Sequence, residues 1–267
     1  MNGRVDNVEA QLSETSGASV SHQPQRLHLE LMDGFNLGRA GSSLLLPGAV
    51  QRLVAFLALR ESRSLERSFI AGKLWFETGH GRAAANLRSA LCRLRQCDPA
   101  LVDVSGSSLR LGAEVSVDVT ERSAIARRVL ASPNDFSDLD YRELLQGELL
   151  PNWHDDWVVF ERERIRQLRL HALEVVAERL TAQSRYGEAV EVALAALREE
   201  PLRGSAHQVL IGAYLAEGNV IEAARDYCRF EELLKRRFGL DPSERLQGLV
   251  NGFADARRAI RTGEAQE

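Results

Sequence analysis

Residues 81–96 read GRAAANLRSALCRLRQ, and this stretch joins an apolar stripe to an arginine-rich face. Leu87, Leu91 and Leu94 recur at the spacing that places side chains on one side of an α-helix. Since each residue turns the helix by about 100°, the side chains opposite the stripe are small, polar or cationic. Those that point away from it are Arg82, Ala85, Ser89, Arg93 and Gln96, and those on its flanks are Asn86, Arg88 and Arg95. No acidic residue interrupts the segment.

The residues of this helix alone leave two interpretations open. It is either a solvated surface helix that happens to be rich in arginine, or a recognition helix that enters the major groove of DNA. Arginine can pair with guanine edges or phosphates, asparagine with adenine, and serine with either. Arg52 or Arg67 can add contacts to the DNA backbone. The residues for which we expect DNA contacts are Arg82, Asn86, Arg88, Ser89, Arg93 and, in a later hairpin, Arg110.

The neighbouring segments favour the recognition helix. Apolar periodicity predicts one helix over residues 47–59 and a second over about 65–75, followed by a glycine-broken turn at 76–81. A helix, a glycine turn and a basic helix in this order are typical of a helix-turn-helix motif. The alternating residues 101–104 and 109–111 then predict a β-hairpin, which at this place would be a wing. The serines at its tip can contact the DNA backbone or serve only as turn residues.

The N-terminal part begins without periodicity. Residues 1–25 are rich in Ser, Gly, Gln, Glu and Asn, and we expect them to form a disordered leader. Alternating apolar residues then predict strands at 27–31 and 35–37, with a third short strand at 44–46. Such a small sheet can cover a helical bundle.

Composition narrows the class of protein. The chain has 267 residues with 44% hydrophobic residues, enough for two ordinary domains, and a formal net charge of −4. Residues 26–118 hold 12 basic and 9 acidic residues, a net +3, whereas residues 119–267 hold 21 and 26, a net −5. A weakly basic module joined to an acidic one is compatible with DNA binding by the first. Without a membrane span or a signal peptide, we expect a cytoplasmic protein with no membrane partner.

Nothing in the sequence indicates a metal, a cofactor or a catalytic set. Cys92 and Cys97 could suggest a metal site, but they lie five residues apart on a helix and have no partner pair at ligand spacing. Asp155 and Asp156 could suggest acid–base chemistry, but no catalytic partner accompanies them, and the beginning of a helix favours carboxylates. No glycine-rich phosphate loop with Lys-Ser or Lys-Thr occurs. We therefore expect no enzyme and no bound cofactor.

The second half is helical from residue 159 to about residue 258. It contains an echo at the 34-residue period of tetratricopeptide repeats, since Glu188-Ala189 recurs as Glu222-Ala223. Small residues at such positions let paired helices approach closely, and stacks of this kind present binding surfaces rather than chemistry. Trp153 and Trp157 lie on one helical face, and we expect them to hold this half together.

The two halves together resemble a known family. The segments LLPGAVQRLVAFLAL, LERSFIAGKLW, RAAANLRSALCRLR and VSVDVT resemble the winged helix-turn-helix of response-regulator type found in Streptomyces antibiotic regulatory proteins (SARPs). The segments GELLPNWHDDWVVFERERIRQLRLHALEVVAERL and RYGEAVEVALAALREEPLRGSAHQVLIGAYLAEGNVIEAARDYCRFEELLKRRFGLDPS resemble the bacterial transcriptional activator domain. The domains implied are a winged helix at 26–118, an all-α tetratricopeptide-like activator domain at 119–260, and a tail at 261–267.

This resemblance implies a mainly α fold with small β elements and a function in transcription. It implies binding to double-stranded promoter DNA at direct repeats, a homodimer on DNA and recruitment of RNA polymerase as an activator. The alternative is a protein-interaction scaffold, in which the repeat half docks a partner and the winged helix does not bind DNA. Loss of DNA retention after charge reversal on the arginine helix would separate the two.

Overall fold

The structure is a computed structural model, and the residues that it describes are 26–39, 42–61, 63–132, 137–145 and 147–253. The leader expected at residues 1–25 and the tail expected at residues 261–267 lie outside these ranges. Within the described residues, none of the helices has the length and apolar character needed to cross a membrane.

Short strands occur only in the first half of the described chain. They are β1 (Leu27–Glu30), β2 (Asn36–Arg39), β3 (Ser42–Ser43), β4 (Leu65–Glu66), β5 (Val102–Ser105), β6 (Ser108–Leu111) and β7 (Val115–Val117). The order in the first sheet is β3-β2-β1-β7, in which β7 runs parallel to β1. The second sheet has the order β4-β6-β5 and is antiparallel. The third strand therefore lies at 42–43 rather than at the expected 44–46.

The α-helices run through both halves. They are α1 (Gly48–Ala58), α2 (Arg67–Leu74), α3 (His80–Cys97), α4 (Asp118–Ala131), α5 (Asp138–Arg142), α6 (Asp156–Ala182), α7 (Tyr186–Glu199), α8 (Gly204–Glu217), α9 (Val220–Phe238) and α10 (Glu244–Val250). The order of winged helix-turn-helix followed by helical repeats confirms the expected fold class. The helix expected from residue 65 begins at Arg67, because Leu65 and Glu66 pair with β6 instead.

The leucine stripe of α3 packs as its spacing predicts. Leu87, Leu91 and Leu94 are 3%, 7% and 1% exposed, and Ala83 and Ala90 beside them are also buried. They belong to one core with α1, α2 and the strands of both sheets. Since every member of the stripe faces inward, the opposite face of α3 is left for solvent or a ligand.

The helical half packs through small residues. Ala177 on α6, Ala189 and Ala196 on α7, and Ala223 on α9 are fully buried, which lets α6, α7, α8 and α9 stack in sequence order. At the C-terminal ends of α8 and α9, Gly218 and Gly239 adopt left-handed φ angles of 92° and 68°, as is typical of helix termination. The echo at 34 residues therefore corresponds to two helical pairs, α6–α7 and α8–α9.

The long helix α6 serves two cores. Its first part places Trp157, Val158 and Ile165 in the core of the winged helix, whereas Leu170 and Leu173 lie in the core of the helical repeats. The boundary between residues 118 and 119 stays a prediction. The two halves are joined through a shared helix, in addition to the chain connection.

The two tryptophans hold the halves together, which differs from the expectation that they hold the activator half alone. Trp153 stacks on Phe35 of the N-terminal half, with ring centroids 6.1 Å apart and planes 12° apart. Trp157 meets Phe56 of α1 edge-on, with a centroid distance of 5.2 Å. Helical spacing showed that the two indoles share a face, but it carried no information on which half that face contacts.

A carboxylate and a loop fasten this junction. Asp118, the first residue of α4, accepts hydrogen bonds from the backbone N–H groups of Leu31 (2.9 Å) and Met32 (2.9 Å). Residues 147–150 lie along the same edge of the first sheet, where Leu150 N donates to Leu31 O at 2.9 Å. Gly147 has φ 103°, a backbone conformation that glycine adopts readily and that is strained for other residues.

Candidate nucleic-acid interface

A tight turn presents α3 to solvent. The helix α2 ends at Leu74, and Thr78 in the turn donates from its hydroxyl to Trp75 O at 2.9 Å. Gly79 is the N-cap residue of α3 and makes no side-chain capping hydrogen bond. The first three residues of the helix, His80, Gly81 and Arg82, are exposed. The turn and the buried leucine stripe together fix the rotation of α3 about its axis.

The outward face of α3 carries most of the residues expected to bind DNA. Arg82, Ser89 and Arg93 are exposed on this face, and Arg88 is exposed on its flank. Asn86 is only half-buried, so its amide remains partly accessible. The structure thus brings five of the six residues onto one side of one helix.

The arginines of this helix lack acidic partners. In the part of the chain that the structure describes, no carboxylate lies within ion-pair distance of Arg82, Arg88, Arg93 or Arg95. Among the described residues, these charges therefore meet no carboxylate, and they face solvent and mobile ions. Such a surface attracts a polyanion, because the counterions that a polyanion releases on binding add to its affinity.

A shallow cavity lies on one flank of α3. It has a volume of about 360 Å³, and its lining residues are Arg67, Arg88, Leu91, Cys92, Arg95 and Gln96. Arg67 is half-buried at the first position of α2, and its Nε has no hydrogen-bond partner among the described residues. Sequence reasoning placed Arg67 and Arg95 near the interface, but it could not show that they share a cavity with Arg88.

The wing is present, although its charges are engaged within the hairpin. Strands β5 and β6 turn at Gly106, whose φ is 58°. The guanidinium of Arg110 donates from Nε to Asp103 Oδ2 at 3.0 Å, across the hairpin. The sixth expected contact, Arg110, therefore lies apart from α3 and has a carboxylate partner, and its role in DNA binding stays a prediction.

One serine of the wing forms a hydrogen bond that stabilises the fold. Ser108 donates from its hydroxyl to Glu66 Oε1 at 2.6 Å, joining the wing to the strand before α2. Hydrogen bonds from Ser108 and then from Ser107 hold the pKa of Glu66 below its usual range. A carboxylate therefore lies at the base of the wing.

Arg52 of α1 and Arg60, which follows this helix, bind the helical half. Arg52 pairs with Asp155, the N-cap residue of α6, and Arg60 donates to Glu161 Oε1 at 2.8 Å. Arg52 thus forms an ion pair at the junction, and the DNA-backbone contact considered for it stays a prediction. Asp155 occupies the expected helix-cap position, although its side chain binds Arg52 and makes no capping hydrogen bond.

Comparisons with known proteins agree with this architecture. A family model described as "Bacterial transcriptional activator domain" matches residues 142–252. The matched residues begin just before the junction loop and include all of α6, so the helix that enters the winged-helix core lies within the match.

The chain is similar to two curated proteins. It is 28% identical over 233 residues to the regulatory protein AfsR of Streptomyces coelicolor, covering 83% of this chain and 24% of that protein. It is 26% identical over 220 residues to AfsR of Streptomyces griseus, covering 78% and 23%. The chain therefore spans about a quarter of the length of these relatives.

A solved structure shares the fold. The structure titled Mycobacterium tuberculosis EmbR in complex with low affinity phosphopeptide matches with a TM-score of 0.68 and 20% identity. The match covers 90% of this chain and 69% of that one, so both the winged helix and the helical half take part. Together with the family model, these similarities confirm the resemblance to SARP-like regulators that carry the activator domain.

Proposed function

We propose that this chain is a transcriptional activator without enzymatic activity, which binds double-stranded promoter DNA through α3. The observation that carries the proposal is the exposed face of α3, whose arginines have no acidic partner in the described chain. On α6, by contrast, Arg164, Arg166 and Arg169 each pair with a carboxylate. A face left cationic beside a helix-turn-helix is suited to DNA.

The residues of this face differ in the DNA groups that they can bind. Arg82 and Arg93 can form paired hydrogen bonds to guanine edges, and Ser89 lies between them with a hydroxyl that can meet a base or a phosphate. Asn86, half-buried on the flank, can reach adenine if the neighbouring side chains move aside. Arg110 on the wing can contact the backbone once DNA competes with Asp103 for its guanidinium.

For the full promoter complex we propose binding at direct repeats, a homodimer on DNA and recruitment of RNA polymerase, as the resemblance to SARP-like regulators implies. The match to the activator-domain model and the similarity to AfsR support a role in transcription. Two linked recognition helices would raise the affinity by making the second contact intramolecular. Because α6 enters both cores, the helical half has a defined orientation relative to the winged helix. A partner bound to the helical half would therefore be oriented relative to the DNA.

The first test selects duplexes from a random pool with the full chain, followed by footprinting and in vitro transcription from a template with the selected site. We expect a footprint of two half-sites with centres about one helical turn apart in direct orientation, and more transcript with the protein than without it. Inverted half-sites would contradict the direct-repeat arrangement. Binding without added transcript would contradict activation.

Charge reversal gives the matched control. The Arg82→Glu and Arg93→Glu double variant should lose retention of the selected duplex, because its outward charges now repel phosphates. The Arg198→Glu and Arg237→Glu double variant changes the net charge equally on exposed positions of α7 and α9, and should retain the duplex. Equal retention by both variants would contradict the DNA face and favour the protein-interaction scaffold.

A further inference from the structure

The cavity on the flank of α3 is surrounded by cationic side chains. Arg88 and Arg95 are seven residues apart, so they lie on the same flank of the helix about 10 Å apart along its axis. Arg67 reaches the same cavity from the beginning of α2. Three guanidinium groups on two helices thus surround one concavity, and no carboxylate lines it.

These arginines differ from most others in the chain in lacking a carboxylate. Arg52, Arg110 and Arg169 each pair with an acidic side chain, as do many others. In the described part of the chain, neither Arg67 nor its two neighbours has such a partner. Like charges that line one cavity repel one another, so an anion bound between them would stabilise this arrangement.

The chemistry of the cavity identifies its ligand. Guanidinium groups form paired, charge-assisted hydrogen bonds with phosphate oxygens. The cavity lies roughly a third of a turn around α3 from the outward face of Arg82, Ser89 and Arg93. When a helix occupies the major groove, the sugar–phosphate backbone runs along its flanks.

We propose that Arg67, Arg88 and Arg95 form a site for phosphodiester groups of the DNA backbone, distinct from the base-reading face of α3. This inference rests on the proposed function. It assigns Arg88, whose DNA contact was not specified above, to the phosphates of the backbone. It also adds Arg95 as a phosphate contact. Phosphate contacts fix the position of the helix in the groove, while Arg82 and Arg93 distinguish sequences.

The test compares salt dependence with sequence preference. The dissociation constant of the full chain is measured from low to moderate salt, on the duplex selected above and on a scrambled duplex of equal length. For Arg67→Gln, Arg88→Gln and Arg95→Gln singly, the slope of log Kd against log salt should fall by about 0.9 per lost phosphate contact. The dissociation constant for the scrambled duplex divided by that for the selected duplex should stay unchanged. For the Arg82→Gln and Arg93→Gln double variant, this ratio should fall.

Matched single variants control for net charge. Arg198→Gln, Arg237→Gln and Arg245→Gln each remove one exposed charge on α7, α9 or α10 and should leave slope and ratio as in the wild type. Cavity variants that change the ratio but keep the slope would show that these arginines read bases, which overturns the proposal. Unchanged affinity and slope would assign the cavity to another ligand, such as an acidic peptide, and also overturn it.

Cys92 supplies a second readout that does not depend on affinity. Its thiol is exposed and lines the cavity, so backbone bound there should cover it. In a Cys97→Ser, Cys228→Ser background, saturating duplex should abolish alkylation of Cys92 by iodoacetamide. Continued alkylation of a fully bound protein would contradict the site while leaving DNA binding itself intact. A wild type that binds no duplex at all would instead overturn the proposed function, and the site with it.

Discussion

Helices α3 and α6 are both rich in arginine, and the difference between them lies in the partners of those arginines. On α6, Arg164 pairs with Glu161, Arg166 with Glu163, and Arg169 with Glu199. On α3, no arginine has an acidic partner in the described chain. The number of arginines therefore says little about DNA binding, whereas their pairing separates a structural helix from a candidate binding helix.

The two helices also differ in burial. The whole of Arg169 is 9% exposed, and it donates to Glu199 as well as to Gly147 O in the junction loop. The arginines of α3 are exposed, and its core contacts come from leucine and alanine alone. Thus α6 uses its cations to hold the fold, and α3 leaves its cations available.

The largest expected effect concerns the contribution of α6 to the winged-helix core. Trp157→Ala should lower the free energy of unfolding by about 3–5 kcal/mol, because the indole is 8% exposed against Phe56 and Trp153. Phe160→Ala, one turn further on the same helix and 77% exposed, should change it little. Urea unfolding of both variants is the measurement. Equal stabilities would show that the junction does not stabilise the first core.

The buried stripe of α3 gives the next effect. Leu91→Ala should cost about 2–5 kcal/mol, since Leu91 is 7% exposed, and DNA binding should then fail through unfolding. Cys92→Ala, at the adjacent exposed position, is the matched control and should keep the thermal midpoint of the wild type. A Leu91→Ala protein with an unchanged midpoint would mean that the faces of α3 are assigned wrongly.

The same substitution on the two helices sharpens the comparison directly. Arg169→Ala leaves Glu199 largely buried without its partner and should cost about 2–3 kcal/mol of stability. Arg93→Ala should leave stability unchanged, because its guanidinium is exposed and has no acidic partner in the described chain. Chemical denaturation at neutral pH measures both. A large loss for Arg93→Ala would indicate a structural role for the arginines of α3.

The smallest expected effect is a pH dependence of the free energy of unfolding that arises in the helical half. Hydrogen bonds from Arg185 and then from Tyr141 lower the pKa of Glu188 from 4.5 to about 2. Because the folded pKa is depressed, the stabilisation is present above about pH 4.5 and is lost as the pH falls toward 2. The pair is about one-third exposed, so we expect about 0.5–1 kcal/mol. Glu188→Gln should remove this part of the pH profile, and an unchanged profile would exclude Glu188 as its source.

Local periodicity predicted most of the fold and much of the candidate face. The spacing of Leu87, Leu91 and Leu94 determined which side of α3 is buried, because helical geometry converts sequence distance into angle. The small residues at Ala189 and Ala223 likewise predicted close helix packing. Even the pairing of Arg110 with Asp103 follows from hairpin register, where facing residues of opposite charge attract, although sequence reasoning did not use it.

Long-range partners could not be predicted in this way. Arg52 pairs with Asp155 at a separation of 103 residues, and no periodicity reports such a contact. The same holds for Trp153, which stacks on Phe35, and for the cavity that gathers Arg67 with Arg88. The third strand was placed wrongly because the apolar run at 44–46 resembles a strand, whereas Leu46 enters the core and Leu45 is 92% exposed.

Tethered cleavage of DNA from α3 tests the central claim most directly. In a Cys92→Ser, Cys97→Ser, Cys228→Ser background, Ser89→Cys supplies a single cysteine that carries an iron chelate, which cuts DNA nearby. In the matched control, the chelate is attached instead through Glu191→Cys, at an exposed position of α7. We predict cuts within the major groove of each half-site of the selected duplex from position 89, and none from position 191. Absence of cuts from position 89 on a duplex that the protein binds would show that DNA lies elsewhere, and would contradict the account.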